Sequence, residues 1–303
     1  MRETGLAAKR YLTVFILTMG CIALIAVSKP HMPTPTAFPS NTTRYALVSL
    51  LSVEGPQAWW SQQKYISAAE KLAASFRKHS NLDMVLLVID EYGVLRKKDE
   101  RRLSSSGWAV HRLRSGIVPQ YGGWNRYHSA KLFSKLWVWR LAMYEQILYT
   151  DLDTLFIHSP HQLFHMRVST QSPAMALDPT RKHYFNAGVV LLRPSEDEYQ
   201  RLISAMDANS HSSSGENAEQ DFLNIFYHGR IVQLDSRFNK QVCAEEEKGC
   251  LNDRVLGPRT TFDESAAKET TVILHFVGDN KPWHIQHCVQ QSIVQLCLFW
   301  KYY

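Results

Sequence analysis

From Tyr45 onward, short and nearly continuous apolar runs alternate with stretches of helical period. No other feature restricts the fold as much, because parallel strands buried on both faces need apolar residues on both sides and a crossover helix between them. "YALVSLLS", "MVLLVI", the run Ile147-Leu148-Tyr149, "PAMALD", "AGVVLL", "IVQL" and "TVILHFV" read as strands. Ser67–His79 repeats Ala69, Leu72, Ala73 and Phe76 at helical spacing, and Ser129–Tyr144 sets Leu132, Leu136, Trp139 and Met143 on one face. Further helical stretches lie around Glu196–Asp207 and Glu219–Tyr227. The pattern predicts one α/β domain over residues 45–303, with a mostly parallel central sheet and flanking helices. A chain of 303 residues that is 45% hydrophobic can bury one sizeable core of this kind. There is no internal repeat, and "HSSSGENAE" reads as a flexible loop.

Upstream of that domain the composition changes. Arg2, Lys9 and Arg10 precede Tyr11–Ser28, an uncharged apolar run about long enough to cross a bilayer as a helix. Positive charge ahead of such a run favours a cytosolic tail over residues 1–10, a type II signal anchor over 11–28 and a luminal remainder. Ala26 and Ser28 also suit a signal-peptide cleavage site, which would leave a secreted domain; the length of the run favours the anchor. Pro30, Pro33, Pro35 and Pro39 make residues 29–44 a semi-extended stem, with a glycosylation sequon at Asn41. These features imply a membrane partner and a Golgi or other secretory-pathway location. In that compartment Cys243, Cys250, Cys288 and Cys297 can form two disulfides of undetermined connectivity or remain buried thiols, and no CxxC pair suggests zinc. The net charge of +6 is scattered among acidic residues, so no nucleic-acid stripe exists and a nucleic-acid partner is excluded.

Asp151 and Asp153 stand directly behind one of the buried runs, at the carboxyl edge of the sheet where ligands of open α/β folds bind. In an extended segment, residues two apart point the same way, so both carboxylates can face one ligand. Two anions so close are costly without a cation, and a divalent metal would remove the repulsion and carry a phosphate. A haloacid dehalogenase-type phosphatase also uses an Asp pair, in D-x-D-x-T. Here Thr154 arrives one position early, and "VGDNKPW" lacks the second acidic residue expected downstream.

Three further motifs follow in order: "FNAGVVLLRPS", "EQDFLN" and "HFVGDNKPW". With the Asp pair they resemble glycosyltransferase family 8, the retaining family of glycogenin and galactinol synthase, over about Tyr45 to Trp283. The resemblance implies a GT-A fold, with a Rossmann-like sheet, and transfer of a hexose or related sugar from a UDP-sugar to a hydroxyl acceptor. A catalytically inactive sugar- or partner-binding module of the same fold is the alternative. By resemblance, Asp151, Asp153 and His275 are the metal ligands, a set that suits Mn2+. Lys281 matches the lysine that neutralises the departing diphosphate, and Lys135 and Arg126 match basic residues that contact the donor. Tyr65 resembles an aromatic that packs on uracil, and Asn186 and Gly188 match positions near the sugar. Leu152, Ala187 and Gly278, within the same motifs, complete the implied donor-binding set. Gln220 matches the group on the β-face of the sugar and Glu219 the acidic residue beside it, with Glu in place of the family's Asp; Glu216 aligns with a further carboxylate. An amide is a poor covalent nucleophile, so retention is expected by front-face attack and not by the two-carboxylate route.

One departure matters. Self-glucosylating members carry an acceptor tyrosine before the His-Phe motif, whereas Phe238–Leu274 has none. Self-modification there is not expected. The tail after Trp283 spaces Cys288, Ile293 and Cys297 almost helically, which predicts packing against the domain.

Overall fold

The computed structural model describes residues 44–53, 59–119, 130–208, 218–242, 271–278, 281–283 and 300–301. The segments 1–10 and 11–28, the stem to residue 43, Arg126, Glu216 and all five cysteines lie outside the described residues. Among the described residues, no helix is long and apolar enough to cross a membrane.

The first strand, Tyr45–Ser52 (β1), leads into the helix Trp59–Arg77 (α1) and the strand Asp83–Ile89 (β2). Helix Lys97–Ser105 (α2) and strand Ala109–Leu113 (β3) follow, then Gln146–Thr150 (β4) and Thr154–Phe156 (β5). Ala174–Leu177 (β6) and Phe185–Leu192 (β7) precede the helices Glu196–Ala208 (α3) and Ala218–Phe226 (α4). Val232–Leu234 (β8), Lys240–Val242 (β9) and Ile273–Phe276 (β10) complete the set. The main sheet runs β3-β2-β1-β4-β7-β6-β8, and a small second sheet runs β5-β10-β9.

The apolar runs are strands because both of their faces are covered. Leu47 and Leu51 of β1, Leu86 and Val88 of β2, and Leu191 of β7 share one core with Ile66, Leu72 and Phe76 of α1. Their alternates Ala46, Val48, Val85, Leu87 and Val190 are equally buried on the opposite face. Helices α3 and α4 pack there against residues 130–140, with Trp137 stacked on Tyr199 and Trp139 on Tyr227.

The mostly parallel sheet is as expected, and one helix needs correction. The sheet is parallel except for β7, which runs antiparallel to both β4 and β6. Its approach from β6 is only the loop 178–184, too short for a parallel crossover, so a hairpin-like reversal is forced. The expected helix 129–144 is a 3-10 segment, Ala130–Arg140. Every residue from Phe133 to Trp139 is buried, because the segment packs against β1 and against helices α3 and α4. Leu132 and Met143, placed on the buried face by an α-helical period, are exposed. Helix α2 and strand β3 were not expected from the pattern. Only Leu103 in α2 is a buried apolar residue, and the element is tied by ion pairs such as Arg102 to Glu70.

Candidate active site

At the end of β4 the ladder to β7 extends one residue further, Asp151 N–H donating to Gly188 O at 2.8 Å. The chain then turns. Leu152 and Asp153 occupy a turn, not the expected extended segment, and Thr154 Oγ1 closes it on Asp151 O at 2.8 Å. Burial of Leu152 in the core anchors that turn. Strand β5 then pairs antiparallel with β10, setting His275 opposite Thr154, and Phe276 N–H donates to Asp153 O at 3.0 Å. A residue remote in sequence is thereby seated beside the turn. One candidate ligand atom from each of Asp151, Asp153 and His275 lies within 4.8 Å of the others.

The two carboxylates are held differently. Asp151 Oδ1 accepts from Tyr149 Oη at 2.7 Å and lies 3.3 Å from Lys135 Nζ. Lys135 is buried and also donates to Glu219 Oε1 at 2.9 Å and Ala187 O at 3.0 Å, with its ammonium 4.9 Å from the Tyr149 ring centroid. Asp153 Oδ2 accepts from Lys281 Nζ, which also reaches Phe276 O at 3.0 Å. Gly278, at φ 58°, takes the left-handed conformation just beyond β10.

Electrostatics follows this geometry. Burial pushes the Asp151 carboxyl above its ordinary value against the pull of Lys135, and the Asp153 charge adds to the rise. Burial acts likewise on Asp153, but the Lys281 ammonium outweighs it and holds that carboxyl below the usual range. Lys135 resists its own burial because Asp151 and Glu219 keep its ammonium charged.

A divalent cation fits the donor set. Asp153 Oδ1 is buried with no hydrogen-bond partner and faces His275 Nε2 at 3.4 Å. Two carboxylates and an imidazole converge on that point, as a hard-to-borderline metal requires.

Around it, Ser52, Tyr65, Asp178, Arg181, Asn186 and Gln220 are among the residues lining a cleft of about 810 Å³ that also contains Asp151, Asp153, His275, Gly278 and Lys281. Tyr65 is 38% exposed and stands edge-on to Trp283 at 5.1 Å, and Trp283 in turn meets the buried Trp300. The "FNAG" and "EQDFLN" segments are tied together. Asn224 bonds both Phe185 N–H and Phe185 O at 2.8 Å, and Gln220 Oε1 accepts from Ala187 N–H at 2.8 Å. Gly188, placed near the sugar by resemblance, has the imidazole of His275 as its neighbour: a Cβ there would lie 2.1 Å from His275 Cε1. Sequence reasoning missed Tyr149, Asn224 and Asn239. Tyr149 and Asn224 stand inside segments already noted, whereas Asn239 lies outside every motif and is brought beside His275 by the pairing of β9 with β10.

The sheet order, with a cleft at its edge, is that of the GT-A glycosyltransferase fold. The galactosyltransferase LgtC, solved with donor and acceptor sugar analogs, has the same fold at a TM-score of 0.57 and 16% identity, covering 84% of this chain and 94% of that one. Residues 61–286 match the profile of Glycosyl transferase family 8, and the chain belongs to that family.

Among curated relatives, putative UDP-glucuronate:xylan alpha-glucuronosyltransferase 3 of Arabidopsis thaliana is 25% identical over 74% of this chain and 33% of its own length. Glycogenin-1 of Caenorhabditis elegans is 27% identical over 50% of this chain and 32% of its own. The chain spans about a third of the length of these relatives.

Proposed function

We propose that the protein is a metal-dependent, retaining glycosyltransferase that moves a hexose or related sugar from a UDP-sugar to a hydroxyl of a glycan, glycolipid or glycoprotein. The observation that carries this reading is the convergence of Asp151, Asp153 and His275 within 4.8 Å, with Lys281 on one of the carboxylates. The UDP-linked donor in the Arabidopsis relative's name supports a uridine nucleotide. A mixed oxygen and nitrogen donor set favours Mn2+. When bound, the ion supplies Lewis-acid stabilisation of the diphosphate.

The chain's own residues divide the remaining work. Lys281 provides a fixed cation for the charge that grows on the leaving diphosphate. Tyr65 offers an aromatic surface at the cleft for the base. Gln220 spends its amide oxygen on Ala187 N–H, which supports a positioning role over nucleophilic attack. The acceptor hydroxyl then attacks C1 on the face that UDP leaves; its new C–O bond forms as the C1–phosphate oxygen bond breaks, and its proton passes to the departing diphosphate. The charged and apolar pattern of residues 1–28 supports a type II anchor, or a signal peptide in a secreted form, with the domain in the lumen of the Golgi or another secretory compartment.

The test is UDP release by the purified domain with Mn2+ and a panel of UDP-sugars. Turnover is expected with at least one donor, and Asp153→Asn or His275→Ala is expected to abolish it. Full activity in either variant rejects the metal site.

A further inference from the structure

We infer that Asn239, backed by Asn186, sets the tautomer of His275 and is thereby a positioning residue of the metal site. The inference rests on the metal reading above, but its starting point is independent of any metal. The backbone N–H of Gly188 can only donate, and it lies 2.9 Å from the Asn186 side chain; the atom it meets is therefore the oxygen, Oδ1. That same oxygen is 2.9 Å from the Asn239 amide, which must present its nitrogen there. The other end of the Asn239 amide, Oδ1, then faces His275 Nδ1 at 2.9 Å, so Nδ1 carries the proton.

Each assignment follows from the one before. Turning either amide by 180° would set donor against donor or acceptor against acceptor. Asn239 is 2% exposed, Asn186 7% and His275 4%, so bulk water does not substitute for any link. In the neutral ring, Nε2 is left with a lone pair, 3.4 Å from Asp153 Oδ1, which has no hydrogen-bond partner of its own. Two buried acceptors facing each other repel unless a cation lies against both. The register that creates this arrangement is the parallel pairing of β9 with β10, which places His275 opposite Gln241 and Asn239 just ahead of it. A metal-ligating imidazole held by its other nitrogen loses about 10–100-fold in metal affinity when that support is removed.

The experiment has two arms. Multiple-bond 1H–15N correlation spectra of the metal-free wild type, at a pH where the ring is neutral, are expected to show His275 protonated at Nδ1; protonation at Nε2 overturns the inference. Free-Mn2+ measurements by electron paramagnetic resonance are expected to show about 10–100-fold weaker binding in Asn239→Leu. Asn239→Asp, whose carboxylate still accepts the Nδ1 proton but sets its second oxygen against Asn186 Oδ1, is expected to bind Mn2+ more tightly than Asn239→Leu and less tightly than the wild type. Wild-type affinity in Asn239→Leu overturns the inference, and if that variant does not fold, the tautomer alone decides. A wild type with the Nδ1-protonated ring and no Mn2+ binding would reject the proposed function and leave the relay standing.

Discussion

Replacing Gly188 with alanine tests the site through space alone, without altering any ligand. The added Cβ would lie 2.1 Å from His275 Cε1 and 2.7 Å from Nε2, where ordinary contact begins at 3.4 Å. Something must move by more than an ångström. Strand β7 is held at this point on its β4 side, where Gly188 O accepts the Asp151 N–H at 2.8 Å. The imidazole must swing away instead, giving up its 2.9 Å contact with Asn239 and its position beside Asp153. Overpacking costs about 1–3 kcal/mol, and the stranded buried amide oxygen adds about 1–3 kcal/mol. A thermal melt should therefore fall by several degrees while the protein still folds. Metal-dependent UDP release should drop by at least about 100-fold, since a displaced ligand costs more than loss of its outer support. Gly93→Ala is the control: its φ of 64° strains an added side chain, but nothing lies within 4 Å, so stability should drop by about 1 kcal/mol with turnover unchanged. Wild-type metal dependence and turnover in Gly188→Ala would refute the placement of His275 against β7.

Lys135→Met leaves the buried Glu219 and the half-buried Asp151 without their shared ammonium, and chemical denaturation should show a loss of about 3 kcal/mol; an unchanged midpoint would exclude the ion cluster. Mn2+ at about 100 times its dissociation constant should stabilise the wild type by about 2.7 kcal/mol in a thermal melt, and chelation or Asp151→Asn should remove that gain. Burial raises the Asp99 carboxyl, but hydrogen bonds from Arg96 and Gln63 prevail and hold it below its value of 3.8 in the unfolded chain. Its contribution is therefore present above about pH 4 and lost as pH falls below that; Asp99→Asn should lower stability at neutral pH and flatten the acid limb of the stability curve.

Much of the architecture was legible because the strands are apolar on both faces, and only a doubly covered sheet accommodates such runs. Helix α2 was not, because a surface helix tied by Arg102 and Glu70 has almost no apolar period to read. Strand β3 was hidden in the same way, since four of its five residues are only partly buried at the sheet edge. The Asp151–Asp153 pair and its partners His275 and Lys281 were visible as residue types in ordered motifs, and the structure brings all four into one cleft.

The amino-acid sequence by itself determined the composition of the sheet, the order of the motifs and the chemistry on offer at its edge. Tertiary structure decided how these meet: the reversal of β7, the turn at Leu152–Asp153, the space that Gly188 leaves for an imidazole, and the Asn186–Asn239–His275 relay. The physical reason is register. Side-chain alternation reports which face a residue occupies, but not which remote strand lies opposite or in which direction it runs. Those are set by backbone pairing of β5 with β10 and of β9 with β10, between segments far apart in the chain.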